Sequence, residues 1–163
     1  MIPVVSIVGK KKSGKTTLVE KLIKELKIRG YRVATIKHDV HNFDIDHPGT
    51  DTWRHTQAGA DCVTISSPHR VAMLKKVDDE WSLNQLIDLN EDVDIILTEG
   101  YKRSDMPKIE VVREERSKEH ICRLEELLAL ATDTDLILPG IPSFHIDDAV
   151  GLVDLIEKEI MNK

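Results

Sequence analysis

Two kinds of apolar pattern take turns along the chain. Pro3–Val8 holds the short continuous run Val4-Val5-Ser6-Ile7-Val8 and closes on Gly9, the signature of a strand buried on both faces. From Thr16 the apolar residues Leu18, Leu22, Ile23 and Leu26 recur at helical spacing, with Glu20, Lys21, Lys24 and Glu25 opposite them. Gly30 ends that helix and Tyr31–Ile36 begins a second strand. The polar stretch from Lys37 to Thr50 is longer than an ordinary connection, and such loops often carry function. Thr50 or Asp51 caps a short helix ending at Gly59. Asp61–Ser66 and Arg70–Lys75 are β-rich, with Ser67-Pro68-His69 as the candidate hairpin turn. Ser82 caps a helix through Leu89, and Asp94–Thr98 is a third buried strand ending at Glu99-Gly100. Lys108–Arg113 and Leu127–Thr132 read as further strands. Asp147 caps a last helix with Val150, Val153, Leu155 and Ile156 on its buried face.

Strand–helix alternation with continuous apolar strands predicts an α/β fold: a mainly parallel sheet with helices on both faces and ligands at the strand carboxyl ends. The middle segments add an antiparallel β piece suited to pairing with another subunit. With no repeat, linker or low-complexity tract, residues 1–163 are expected to form a single domain. Hydrophobic residues make up 40% and charged residues 32%, a globular, cytosolic mixture. Apolar runs are strand-sized, and Met1 leads straight into a strand, so neither membrane span nor signal peptide is expected and the location is cytoplasmic. A net charge of −6 argues against nonspecific nucleic-acid binding. Cys62 and Cys122 form no CxxC pair and read as buried thiols in a reducing compartment.

Chemistry enters at Gly9-Lys10-Lys11-Lys12-Ser13-Gly14-Lys15-Thr16, which matches GxxxxGK[ST] between a buried strand and an amphipathic helix. Its glycines let main-chain N–H groups turn inward around phosphate oxygens, and the helix amino terminus adds positive potential. In that reading Gly9, Lys12, Ser13 and Gly14 cradle the phosphates and Lys15 reaches the β- and γ-phosphates. Thr16 ligates Mg²⁺ and Thr17 lies against the α-phosphate. Lys10 stands where one subgroup of such proteins has a lysine that reaches a partner's nucleotide. Lys11 and Lys12 replace the glycines that follow it there, and a solvated lysine is the simpler reading.

A phosphate loop needs an acidic group at the end of a neighbouring core strand, and Glu99 follows Asp94–Thr98 at that place. Glu99 is the candidate to hold metal or orient water, while Asp94 is a solvated flank at the other end. Residues 38–55 hold His38, His41, His47 and His55 with Asp39, Asp44, Asp46 and Asp51. The spacing fits no zinc-finger or metalloprotease pattern, so an anion-binding loop is preferred to a transition-metal site. His38 and Asp39 lie nearest the strand end, and Asp46 or Asp51 could join a Mg²⁺ shell.

These pieces together resemble the MobB family, the molybdopterin-guanine dinucleotide biosynthesis protein B. The likeness rests on residues 9–18, Thr35–His41, Asp46–Thr52 with Gly59-Ala60, Thr98-Glu99-Gly100-Tyr101-Lys102, and Pro107-Lys108-Ile109-Glu110-Val111. The resemblance implies a P-loop GTP-binding protein with weak GTPase activity and Mg²⁺. Its implied partner is the guanylyltransferase that attaches GMP to molybdopterin. It further implies a homodimer whose β segments complete a shared sheet. The family role carries onto Lys15, Thr16 and Glu99, and onto His38, Asp39 and Lys102; Lys102 or Lys108 would meet a phosphate of pterin or nucleotide.

No Asn-Lys-x-Asp segment is present to read guanine. Asp133, in Ala131-Thr132-Asp133-Thr134-Asp135, could take that part or form a plain turn, so GTP over ATP follows from the resemblance. No arginine finger is assigned; Arg54, Arg103 and Arg113 are candidates. The rival reading is an ATP-dependent small-molecule kinase or ligase, and a third is a nucleotide-responsive binding module.

Overall fold

A computed structural model describes residues 2–39, 43–116 and 119–162. They fall into two compact units, one of residues 1–38 with 83–163 and one of residues 39–82. In chain order the elements are β1 (Val4–Gly9), α1 (Lys15–Ile28), β2 (Val33–Lys37), α2 (Asp51–Gln57), β3 (Cys62–Ser67), β4 (Arg70–Lys75) and α3 (Leu83–Asp88). Then follow β5 (Ile95–Glu99), β6 (Lys108–Val112), β7 (Leu127–Thr132), β8 (Ser143–His145) and α4 (Ala149–Ile156), which runs on into a π-helical turn over Glu157–Met161.

In the first unit six strands form one sheet in the order β2-β5-β1-β6-β7-β8, every pair parallel. Alternate residues of β1 face opposite sides of the sheet. Val5 and Ile7 pack with Ile95, Leu97, Ile109, Val111, Ala129 and Ala131 under α1 and α4, whose Leu22, Leu26, Leu152 and Ile156 are fully buried. Each such leucine or isoleucine contributes roughly 1.5–3 kcal/mol of burial. Val4 packs on the opposite face with Ile36, Ile96 and Ile87 of α3, and Val8 with Val112, Leu130 and Cys122. Helices thus cover both faces of a parallel sheet, as the apolar runs predicted. From β1 the chain crosses to β2 on one side, and later fills β6, β7 and β8 on the other. This reversal opens a crevice at the carboxyl end of β1.

Some boundaries differ from the sequence reading. The last helix is capped by Asp148, whose side chain accepts the Gly151 N–H at 2.9 Å, while Asp147 pairs with Lys21. Its buried face is Leu152, Val153 and Ile156, and Val150 is exposed, because α1 sets which stripe is covered. Strand β8 and the 3₁₀ turn over Leu124–Glu126 carry too short an apolar pattern to be read from sequence. Cys122 is buried but Cys62 is exposed. Among the described residues no helix is long and apolar enough to cross a membrane.

The second unit is a helix and a hairpin. Thr50 caps α2 by accepting the Trp53 N–H, and β3 pairs antiparallel with β4 from Cys62↔Lys75 to Ser67↔Arg70. This two-stranded sheet exposes Ile65 on one face and Val71 and Met73 on the other.

Candidate nucleotide site

The loop between β1 and α1 is shaped by residues that only its conformation explains. Gly9 has φ +147°, and a Cβ there would stand 2.6 Å from the Val111 carbonyl oxygen and 2.8 Å from Ser13 Oγ. Gly14 has φ +92° and precedes the first turn of α1. Lys12, at φ +63°, is a non-glycine residue in the left-handed region. No side chain caps α1 and its first turn contains no acid. Its amide end therefore keeps the positive potential that attracts phosphate.

Lys15 folds back along this loop, its Nζ donating to the carbonyl oxygens of Gly9 at 3.1 Å and Lys10 at 2.8 Å. Burial pulls its pKa below the usual lysine value, with Glu99 opposing the shift and Lys37 adding to it. One residue on, the Thr16 hydroxyl donates to Glu99, 2.9 Å from either carboxylate oxygen. Parallel register does this: Ile7 pairs with Glu99 and Lys37 pairs with Glu99, so the ends of β1, β5 and β2 converge. Lys37 Nζ lies 3.4 Å from Glu99. Beneath them the buried Thr98 hydroxyl donates to Ser6 Oγ at 2.8 Å, tying β5 to β1. Gly100, at φ +98°, lets the chain pass His38, whose Cβ would be 3.4 Å from an added Cβ. The His38 ring packs on Tyr101 with centroids 5.0 Å apart.

The donor set fits a hard cation and a polyphosphate. A hydroxyl and a carboxylate meet at Thr16 and Glu99, the oxygen chemistry that suits Mg²⁺. Ser13 Oγ is buried without a hydrogen-bond partner, inside the turn. Among the described residues no group of three His, Cys, Asp or Glu could hold a metal ion.

Other candidates are placed as follows. Asp133, just past β7, accepts the Glu114 N–H at 2.9 Å and lies 3.5 Å from Arg113 Nε. The Glu114 bond, with Arg113 beside it, holds its carboxyl below the usual range. Arg113 in turn lies against Gly14, where an added Cβ would be 3.5 Å from its Cδ. A cavity of about 340 Å³ opens at Asp133, Thr134, Asp135 and Glu114. Lys102 lines a larger cavity of about 710 Å³ with Lys10 and Lys11. Lys108, expected as a possible phosphate ligand, is fully buried and donates to the Ser104 carbonyl oxygen, so it serves the interior. Thr17 is exposed at the start of α1. Asp39, Asp46 and Asp51 belong to the second unit. There Asp46 accepts the Thr52 hydroxyl at 2.9 Å, and Asp51 opens α2 beside Arg54. His41 lies outside the described residues. Sequence reasoning missed Lys37, Ser6 and Glu110; the parallel register alone brings Lys37 to Glu99.

Sheet order, loop and strand-end carboxylate define a P-loop NTPase-like α/β protein. Residues 4–133 match the family described as Molybdopterin guanine dinucleotide synthesis protein B. The chain is 39% identical over 137 residues to the molybdopterin-guanine dinucleotide biosynthesis adapter protein of Haemophilus influenzae, covering 83% of this chain and 77% of that one. It is 34% identical over 162 residues to the Escherichia coli adapter protein, covering 96% and 92%. The crystal structure of Bacillus subtilis MobB superposes with a TM-score of 0.78 at 26% identity, over 99% of this chain and all of that one. The chain belongs to the MobB family.

Proposed function

We propose that this chain is a cytoplasmic, GTP-binding adapter in molybdenum cofactor biosynthesis. It assists the guanylyltransferase that joins GMP to molybdopterin, and it hydrolyses GTP slowly. The observation that carries the nucleotide reading is the meeting of Lys15, Thr16 and Glu99 around an uncapped helix start. On binding, Lys15 exchanges two carbonyl oxygens for phosphate oxygens, and the amides of residues 10–16 donate to the phosphates. Mg²⁺, when bound, neutralises phosphate charge; Thr16 would ligate it and Glu99 would hold it or its water. The base would enter the cavity at Asp133, whose carboxylate would turn from Arg113 to the guanine donors. Slow hydrolysis follows the family resemblance, with none of Arg54, Arg103 and Arg113 assigned as an arginine finger. A site without an arginine finger forgoes roughly 10³–10⁵ in rate. The exposed apolar residues of the β3–β4 hairpin support a homodimer that extends this sheet.

Calorimetric titration with GTP and ATP, with and without Mg²⁺, tests the reading. GTP should bind more tightly than ATP, Lys15→Ala should weaken binding by roughly 100-fold, and Thr16→Val should abolish the Mg²⁺ dependence. A folded protein that binds no triphosphate at millimolar concentration refutes it. The adapter role is tested by adding the chain to its cognate guanylyltransferase and measuring dinucleotide yield, which should rise; an unchanged yield counts against it.

A further inference from the structure

The lysine that strand register brings to Glu99 stands on the working face of the sheet. Side chains alternate between faces along a strand. Ile36 packs with Val4 and Ile96 on the face opposite α1, whereas Val33 packs under α1. Lys37, four residues past Val33, therefore shares the α1 face with its register partner Glu99. Glu99 is the carboxylate that accepts the Thr16 hydroxyl at 2.9 Å. Lys37 Nζ lies 3.4 Å from it, and the two side chains differ in their access to water: Lys37 is 60% exposed and Glu99 14%. The carboxylate is fixed in the wall of the site. The ammonium reaches in from solvent on a flexible four-carbon stem. With one partner nearly buried, the pair is screened less than an ordinary surface ion pair.

Both lysines at these strand ends are held by protein oxygens. Lys15 Nζ donates to the Gly9 and Lys10 carbonyl oxygens, and Lys37 Nζ faces Glu99. Lys37 also helps to pull the Lys15 pKa down, so its charge is felt where the phosphates would bind. A divalent cation held through Thr16 and Glu99 repels an ammonium that stands 3.4 Å from the same carboxylate. The ammonium is the group that can leave, because its stem is exposed and Glu99 is not. In sites of this kind the loop lysine and the metal both engage the β- and γ-phosphates. The terminal phosphate is therefore the new anion that can receive Lys37. A diphosphate offers no such group, and Lys37 then stays on Glu99, where its charge opposes the metal.

We propose that Lys37 tells triphosphate from diphosphate: its ammonium pairs with Glu99 until metal and triphosphate bind, then moves to the terminal phosphate. The inference rests on the reading of this site as one for a nucleoside triphosphate with Mg²⁺. The test is calorimetric titration of wild type, Lys37→Met and Lys37→Arg with a non-hydrolysable GTP analogue and with GDP, all in saturating Mg²⁺. Lys37→Met should weaken the analogue by roughly 20-fold and leave GDP within about twofold or bind it more tightly. Lys37→Arg, which keeps the charge, should recover most of the analogue affinity. A second readout is Mn²⁺ binding to the GDP complexes, followed by the electron paramagnetic resonance signal of the free ion. Lys37→Met should bind Mn²⁺ roughly fivefold more tightly than wild type, an effect that loss of a merely structural contact would not produce. Equal losses for analogue and GDP, an unchanged Mn²⁺ affinity, or a Lys37→Arg protein as weak as Lys37→Met overturns the proposal. A wild type that binds both nucleotides, with analogue affinity unmoved in Lys37→Met, overturns this inference alone. A wild type that binds neither overturns the nucleotide reading and this inference with it.

Discussion

Glu110→Gln separates a buried charge from its shape. The wild-type carboxylate receives two amides, at 2.6 and 3.0 Å, in a place that is 1% exposed. Glutamine keeps one carbonyl acceptor and turns an NH₂ donor toward the other amide. One charge-assisted bond, worth about 1.5–3 kcal/mol, becomes a donor facing a donor, and the second becomes neutral and weaker. The relief of charge desolvation offsets part of this, leaving a net loss of about 2–4 kcal/mol. Urea denaturation with an unchanged slope measures it as a shift in midpoint. A second readout is local. Burial, then the Glu110 charge and hydrogen bond, push the Cys122 thiol from 9.0 up to about 12. A thiol raised in the folded state contributes stability that is fully present below its unfolded value near 9 and is lost as pH climbs toward 12. In a Cys62→Ser background, thiolate absorbance should therefore show Cys122 titrating at lower pH in Glu110→Gln, still above 9, because burial remains. A stability change under ~0.5 kcal/mol, or an unmoved Cys122 titration, would refute the assignment of Glu110 as the anchor of residues 121–122.

Lys12 holds φ +63°, so Lys12→Gly should raise the unfolding free energy by about 1 kcal/mol despite glycine's greater unfolded entropy; thermal or chemical melts check the sign. Arg29 joins α1 to α4 and the turn beyond it, with Nε 2.8 Å from Glu25 and Nη1 2.7 Å from both Asp154 and Glu157. Its side chain is 19% exposed, so Arg29→Met should cost about 1.5–3 kcal/mol after allowance for screening. That loss should shrink when wild type and variant are compared in high salt. Gly9→Ala places a Cβ 2.6 Å from the Val111 carbonyl oxygen; it should cost about 2–4 kcal/mol and abolish triphosphate binding by calorimetry.

The parallel sheet and the phosphate loop were legible because each is written locally. Val4–Val8 and Ile95–Leu97 are continuous apolar runs, and GxxxxGKT sits between strand and helix. Thr50 as a helix cap and the hairpin about Pro68-His69 were equally local. What could not be read depends on contacts between distant segments. Lys37 reaches Glu99 only through the β2–β5 register, and Asp148 rather than Asp147 caps α4 because Lys21 on α1 engages its neighbour. In sequence Lys108–Arg113 reads as a strand with Lys108 as a possible phosphate contact. Only the sheet order, with β6 between β1 and β7, shows Lys108 and Glu110 to be interior.

The central place of β1 couples ligand capture to assembly. Its neighbours β5 and β6 arrive some ninety to one hundred residues later, and each brings a part the loop lacks: Glu99 for Thr16, and the Val111 carbonyl oxygen against Gly9. A nascent or truncated chain ending before these strands carries the whole GxxxxGKT motif yet has nothing to clamp it. Conversely, a bound triphosphate at one hundred times its dissociation constant would add about 2.7 kcal/mol against unfolding, shared among three strands at once. Occupancy would then decide how long the central sheet outlasts proteolysis.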